Sequence, residues 1–157
     1  MATSKPKSAR QGSVLIYGLF GFSFMLGMGV LAVDFGRTQV VKSQIQAATD
    51  SAVRAAGQKM VEGASMDQIL AAAVGVASSN VVDGQPVVVR RSDVKIGVYD
   101  LATRTFTETS DLNLSNAIRI KLKYQFGVDG PELSFANICG QGGRTVTHRA
   151  TVMVGDA

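Results

Sequence analysis

The chain has 157 residues, a formal charge of +4, one His, one Cys and no Trp. That length suits one small domain plus a short extra segment. The lone cysteine, Cys139, excludes an intramolecular disulfide, and one His with one Cys cannot build a closed four-ligand zinc site of the usual N and S donors. Lys5, Lys7 and Arg10 supply the charge of the first twelve residues, and the remainder is nearly neutral at 13 basic against 12 acidic residues. The high pI therefore gives no argument for nucleic-acid binding.

Residues 1–12 read as a basic tail. Residues 13–33, from Ser13 to Val33, carry no charge, and about 20 apolar residues in a helix cross the hydrocarbon core of a bilayer. A basic flank with no acid stays on the cytoplasmic side, so the chain after Val33 is expected on the far side. A cleaved signal peptide is the rival reading, with Val30-Leu31-Ala32 as a small-residue site, but its apolar region is ordinarily shorter than this one. Gly21, Ser23, Gly27 and Gly29 place small side chains on the helix faces, where two membrane helices could approach closely. Gly is common in membrane helices in any case, so a lipid-facing role stands beside it.

The helical pattern continues from Asp34 to about residue 62 without a proline. Thr38, Val41, Ile45, Ala48, Ala52 and Ala55 recur in alternating steps of three and four, a narrow seam of heptad type. Such a seam packs either on the chain's own sheet or on neighbouring copies and partners. Residues 13–62 together predict one helix about 75 Å long. Asp34 and Arg37, three apart, share a helix face and are expected to form a local ion pair, with a contact to a partner as the alternative. Asp50 lies in the polar stripe and is expected to be solvated.

Gly63 stands at a helix C-terminus, and Ser65-x-x-Gln68 is a capping box that opens a second helix fading near Ser78-Ser79-Asn80. Asp83-Gly84 signals a turn. The period then changes to two. Val87 to Val89 form a short apolar run; Val94, Ile96 and Val98 alternate with other residues; Phe106 sits in a Thr-rich strand. From Asn116 to Phe126, Ile118, Ile120, Leu122, Tyr124 and Phe126 face one way, against Arg119, Lys121, Lys123 and Gln125, the pattern of an antiparallel strand with one wet face. Gly127 to Pro131 turns the chain, Leu133 to Ile138 is a short apolar element, and Thr145 to Val154 is a last strand. The fold class is α+β: a long N-terminal transmembrane helix with an extramembrane extension, a short second helix and an antiparallel β-meander. The expected organisation is a tail at 1–12, a membrane helix at 13–33, its extension at 34–62 and an exported domain at 63–157.

Chemistry is sparse. Gly140-Gln141-Gly142-Gly143 lacks the Lys-Ser/Thr of a phosphate-binding loop and precedes a strand, so it is a turn. His148, alternating with Val146 and Ala150, is expected at the core rim with no paired nucleophile. Arg119, Lys121 and Lys123 form a row that could meet an acidic partner or serve as a solvated face that blocks aggregation. No catalytic set, cofactor, metal or small-molecule ligand is expected.

The stretch Ala32-Val33-Asp34-Phe35-Gly36-Arg37, followed by Gln44-Ile45-Gln46-Ala47-Ala48-Thr49-Asp50-Ser51-Ala52, resembles the TadE/TadG-like proteins of the tight-adherence (Flp pilus) system. The motif residues are Asp34, Gly36, Arg37, Gln46, Ala47, Ala48 and Asp50. A looser likeness runs over Gly97 to Phe106 and Asn116 to Ile120. The resemblance implies a bacterial, pilin-like, membrane-anchored component of a pilus or secretion assembly. Its domain would lie in the periplasm, its anchor in the inner membrane, and its partners would be other apparatus proteins, copies of itself and membrane lipid. The alternatives are an exported binding module with a cleaved signal peptide and, last, an exported enzyme. Processed pilins of this system carry Glu five residues after the cleavage-site Gly, where this chain has Tyr17 after Gly12. The tail is therefore expected to stay attached. The Asp-x-Ser-x-Ser metal motif of long relatives is missing from the sequence.

Overall fold

The structure is a computed structural model that describes residues 11–138, 140 and 143–154. Lys5, Lys7, Arg10 and Cys139, together with Gln141 and Gly142 of the glycine-rich turn, lie outside the described residues. One helix, α1, runs unbroken over Gln11–Val61. It stops where the sequence places the stop. Gly63 takes φ +71°, Ala64 N–H donates to Lys59 O at 3.0 Å and Gly63 N–H to Met60 O at 3.1 Å. This is the paired closure of a Schellman cap, which needs a left-handed residue.

The second helix, α2, covers Met66–Ser78. Its capping box is present: Ser65 N–H donates to Gln68 Oε1 at 2.9 Å and Gln68 N–H to Ser65 Oγ at 3.4 Å. Ile69, Ala73 and Ala77 recur every four residues and are buried, so α2 offers one narrow apolar stripe. It lies against α1.

The Asp83-Gly84 signal becomes a two-residue hairpin between β1 (Val81–Val82) and β2 (Gln85–Pro86). Both turn residues take positive φ, 52° and 82°, the backbone of a type I′ turn. The Val87 to Val89 run forms no strand. Val89 plugs the core while Val88 stays exposed.

Four strands make the main sheet: β3 (Val94–Asp100), β4 (Thr105–Glu108), β5 (Ala117–Gln125) and β6 (Thr145–Met153). Every pairing is antiparallel, in the order β4-β3-β5-β6. The arrangement is meander-like, with β4 folded back on the outer side of β3 so that β5 can pair with β3 directly. Between β5 and β6 the 133–138 apolar element is a short helix, α3 (Ser134–Ile138).

The inner face of the sheet, with Ile118, Ile120, Leu122, Tyr124 and Phe126, packs with the outer half of α1. Val41, Ile45, Ala48 and Ala52 are buried at 1% exposure or less, and Ala55 is half-buried. The chain's own sheet and α2 therefore occupy the seam. Helix and sheet approach closely at Gly57, where an added Cβ would sit 2.6 Å from Val152 Cγ1. Gly36 has nothing within 4 Å of an added Cβ.

The two glycines should therefore respond oppositely to substitution. G57V should cost about 1–3 kcal/mol through overpacking, whereas G36A should be neutral or gain up to about 1 kcal/mol of helix propensity. Urea midpoints in a detergent micelle, followed by far-ultraviolet circular dichroism, compare them. Equal midpoints for G57V and the parent would show that helix and sheet are not in close contact there.

Candidate functional site

The exposure of α1 divides it in two. From Val14 to Val33 its large apolar side chains are open, among them Phe20, Phe24 and Met25 at 70% or more. The most apolar window of the helix has none of its surface buried within the chain. Gly21, Ser23 and Gly29 are exposed and Gly27 is half-exposed. A helix this long and apolar fits a single-pass membrane anchor.

At Asp34 the environment switches. Asp34 is 7% exposed, and its carboxylate accepts three backbone N–H groups from the start of α3. Ser134 N donates to Oδ1 at 3.0 Å, and Phe135 N and Ala136 N donate to Oδ2 at 2.6 and 3.3 Å. The first N–H groups of any helix lack intrahelical acceptors. Here they are capped from about 100 residues away in sequence, and the negative charge also suits a helix N-terminus.

Arg37, one turn further on, turns away from Asp34. Its Nε donates to Asp83 Oδ1 at 3.0 Å, its second guanidinium nitrogen pairs with Asp83 Oδ2, and Nη1 donates to Glu132 O at 3.3 Å. The guanidinium also lies over the Phe126 ring, 5.5 Å from its centroid. The expected ion pair between Asp34 and Arg37 is thus replaced by two separate long-range contacts. The physical reason is that both have better partners: a helix N-terminus for the carboxylate, and a bidentate carboxylate for the guanidinium.

Asp83 collects further contacts. Its Oδ2 accepts the Tyr124 hydroxyl, and its N–H donates to Gln44 Oε1 at 3.0 Å. Burial alone would push the Asp83 carboxyl up, but the Arg37 and Tyr124 hydrogen bonds outweigh it and hold the group below its ordinary range. Burial, then the bond to Asp83, pushes the Tyr124 hydroxyl up, so it stays a donor. The bond to Asp83 raises Arg37 in turn. Gly130 lies against the Tyr124 hydroxyl with no room for a Cβ. The tip of the β1–β2 hairpin, the end of β5 and the 130–133 turn are thereby tied to one turn of α1.

The other motif residues are spread along the helix. Gly36, Gln46 and Ala47 are exposed, Ala48 is buried and Asp50 is half-buried. Asp50 is not simply solvated: its Oδ1 lies 3.4 Å from His148 Nε2 on β6, and His148 does share the helix-facing side of β6 with Val146 and Ala150. Thr49, which the pattern did not single out, is fully buried and donates to Ile45 O at 2.6 Å. This back-bond lets a hydroxyl sit in the core.

On the outer face of the sheet the row Arg119, Lys121, Lys123 is widened by its neighbours. Lys95 stands opposite Arg119 and Arg149 opposite Lys121. Arg119 is steadied by the Phe106 ring, 4.0 Å away, and by Thr151 Oγ1 at 3.0 Å. Lys95 pairs with Glu108 at 2.7 Å. Burial, then the nearby Arg149 charge, lowers the Arg119 guanidinium. Like charges directly opposite on a sheet are unfavourable, so this face is tolerated rather than stabilising. Among the described residues no group of three or more His, Cys, Asp or Glu could hold a metal ion.

Residues 12–59 match the family model described as "Putative Flp pilus-assembly TadE/G-like". The chain carries a TadE/G-like segment. The match spans nearly all of α1, the open apolar half and the packed half alike, and it stops before the sheet. The looser likeness over 97–120 lies beyond it. The likeness to Tad pilus-assembly proteins therefore rests on that segment, about a third of the chain. No curated protein and no solved structure matches it.

Two substitutions probe the junction. D34A leaves three N–H groups of α3 without their acceptor, each costing about 1–3 kcal/mol if it stays dry. Residues 133–138 should then exchange amide hydrogens much faster while α2 keeps its protection; unchanged protection at Ser134 to Ala136 would refute the cap. D83N should be less stable than the parent at neutral pH. The Asp83 carboxyl is depressed in the folded chain, so its contribution is present above the ordinary value of about 3.9 and disappears as the pH falls through the lower folded value. The stability gap between parent and D83N should therefore close in acid. A gap constant from neutral pH down into that acid range would contradict the pairing with Arg37.

Proposed function

We propose that the protein is a membrane-anchored structural or accessory subunit of the Tad (Flp) pilus assembly, working through protein–protein contacts made by the open half of α1. The supporting observation is the division of that helix. The TadE/G-like segment covers both halves, yet only the outer half is absorbed by the chain's own sheet and α2. The seam from Val41 to Ala52 is not available to a partner, whereas Gly21, Ser23, Gly27 and Gly29 line a part of the helix that no other element among the described residues covers. Small residues there let a second membrane helix come close enough for van der Waals contact and backbone approach.

The proposed organisation follows the charge pattern. Residues 1–12 form a cytoplasmic tail, 13–33 cross the inner membrane, 34–62 continue the helix on the periplasmic side, and 63–157 form the exported domain. The basic tail supports this direction. The family match starting at residue 12 supports a retained anchor over a signal peptide cleaved near Ala32. The partners are other proteins of the apparatus or further copies of the chain. No catalytic role is proposed.

One preparation tests the reading. In a C139S background, single cysteines at Gly21, Gly29 or Ala52 are cross-linked in cells that assemble the pilus, and the purified product is weighed intact. Gly21 and Gly29 should form adducts with apparatus proteins or with a second copy, Ala52 should remain monomeric, and the mass should include residues 1–32. A mature N-terminus at Val33, or no adduct at either glycine, would sink the proposal.

A further inference from the structure

Large apolar side chains are exposed on three separate segments at the end of the domain nearest the apolar half of α1. They are Ile138 at 80%, on α3; Val128 at 71%, in the turn after β5; and Phe35 at 65%, on α1. The contacts around Asp34 and Arg37 hold all three segments at one level. Asp34 fixes the N-terminus of α3. Arg37 binds Glu132 O and lies over Phe126, just beside the 127–130 turn.

That level is set by the helix itself. Residues 13–33 have about the length of the hydrocarbon core, and the headgroup layer extends roughly 5–8 Å beyond it on each side. At 1.5 Å per residue the layer reaches to about Arg37 or Thr38. Helix α3 has five residues and spans only about 8 Å, so Ile138 stays close to that layer.

We propose that this end of the domain rests on the bilayer and that Ile138, with Val128 and Phe35 beside it, enters the outer lipid interface. The occupant is the phospholipid surface into which the anchor runs, because Phe35 directly follows the uncharged stretch of α1 and the start of α3 is hydrogen-bonded to Asp34, one residue beyond that stretch. Single exposed apolar side chains occur elsewhere on the domain, among them Val88, Leu101 and Leu114; what sets Ile138, Val128 and Phe35 apart is their place beside the apolar half of α1, where interfacial apolar side chains of a tethered domain are covered by the headgroup boundary. Charge adds little to this contact: Arg144 is exposed on the same end, but so are Asp129 and Glu132, and Arg37 is already paired with Asp83. The contact would fix the tilt of the domain on its anchor and so the direction in which the basic sheet face looks. This inference rests on residues 13–33 crossing the membrane.

The lack of any Trp makes the test clean. Three single-Trp variants of the full chain are reconstituted in phosphatidylcholine vesicles with and without brominated acyl chains. F20W reports the span, I138W the proposed contact, and L101W the β3–β4 turn beside Met60 and Gly63 at the far end of α1. Ile138 and Leu101 are both exposed, so neither variant disturbs the core. Brominated lipid should quench F20W strongly, I138W to a large fraction of that, and L101W not at all, and I138W should emit to the blue of L101W. If F20W is quenched while I138W emits like L101W and is open to aqueous iodide, the docking proposal fails and the anchor stands. If I138W is blue-shifted yet insensitive to brominated lipid, protein covers it and a second copy replaces the bilayer as occupant. If F20W itself escapes quenching, the membrane span and the docking proposal fail together.

Discussion

The fold depends on what happens at one turn of α1, where an uncharged helix acquires Asp34 and Arg37. These two side chains face different parts of the domain and hold both. Asp34 carries the start of α3, and Arg37 carries the β1–β2 hairpin, the end of β5 and the turn after it. A buried carboxylate such as Asp34 would cost several kcal/mol if left without partners, and the half-buried guanidinium of Arg37 is held by paired acceptors. Both have their hydrogen-bonding atoms met by distant parts of the chain, and those contacts bring elements from three regions of the sequence to the same spot.

Above that turn, packing follows from shape. The seam of α1 narrows from Val41 and Ile45 to Ala48, Ala52, Ala56 and finally Gly57, and the buried residues of α2 that face the same core are mostly alanine. Small side chains bring helix and sheet into near-backbone contact at Val152. Below it, the same helix presents Leu, Phe and Met to its surroundings. One continuous helix thus has an open apolar half and a packed half, and its first charged residue, Asp34, marks the change.

Secondary structure was largely legible in the sequence because its signals are local. The capping box at Ser65, the glycine stop at Gly63, the Asp83-Gly84 turn and the alternation from Ile118 to Phe126 each involve residues a few positions apart, and each forms as expected. The Val87 to Val89 run left its role open: three valines suit a strand by propensity, yet the chain forms none there and buries Val89 as a core plug while Val88 stays exposed. The expected ion pair between Asp34 and Arg37 did mislead. Helical spacing shows that two residues can meet, and says nothing of a better partner far along the chain.

The sequence by itself determined the long apolar stretch that fits an anchor, the length of α1, the α+β class and the likeness to TadE/G-like proteins, since all of these rest on composition and on patterns within short windows. Tertiary structure decided what the motif residues touch. That Asp34 caps a helix about 100 residues away, that Arg37 pairs with the tip of a hairpin, and that the seam is filled from within are consequences of chain closure. Contacts of that range are fixed by how the whole core packs, and no local pattern encodes them.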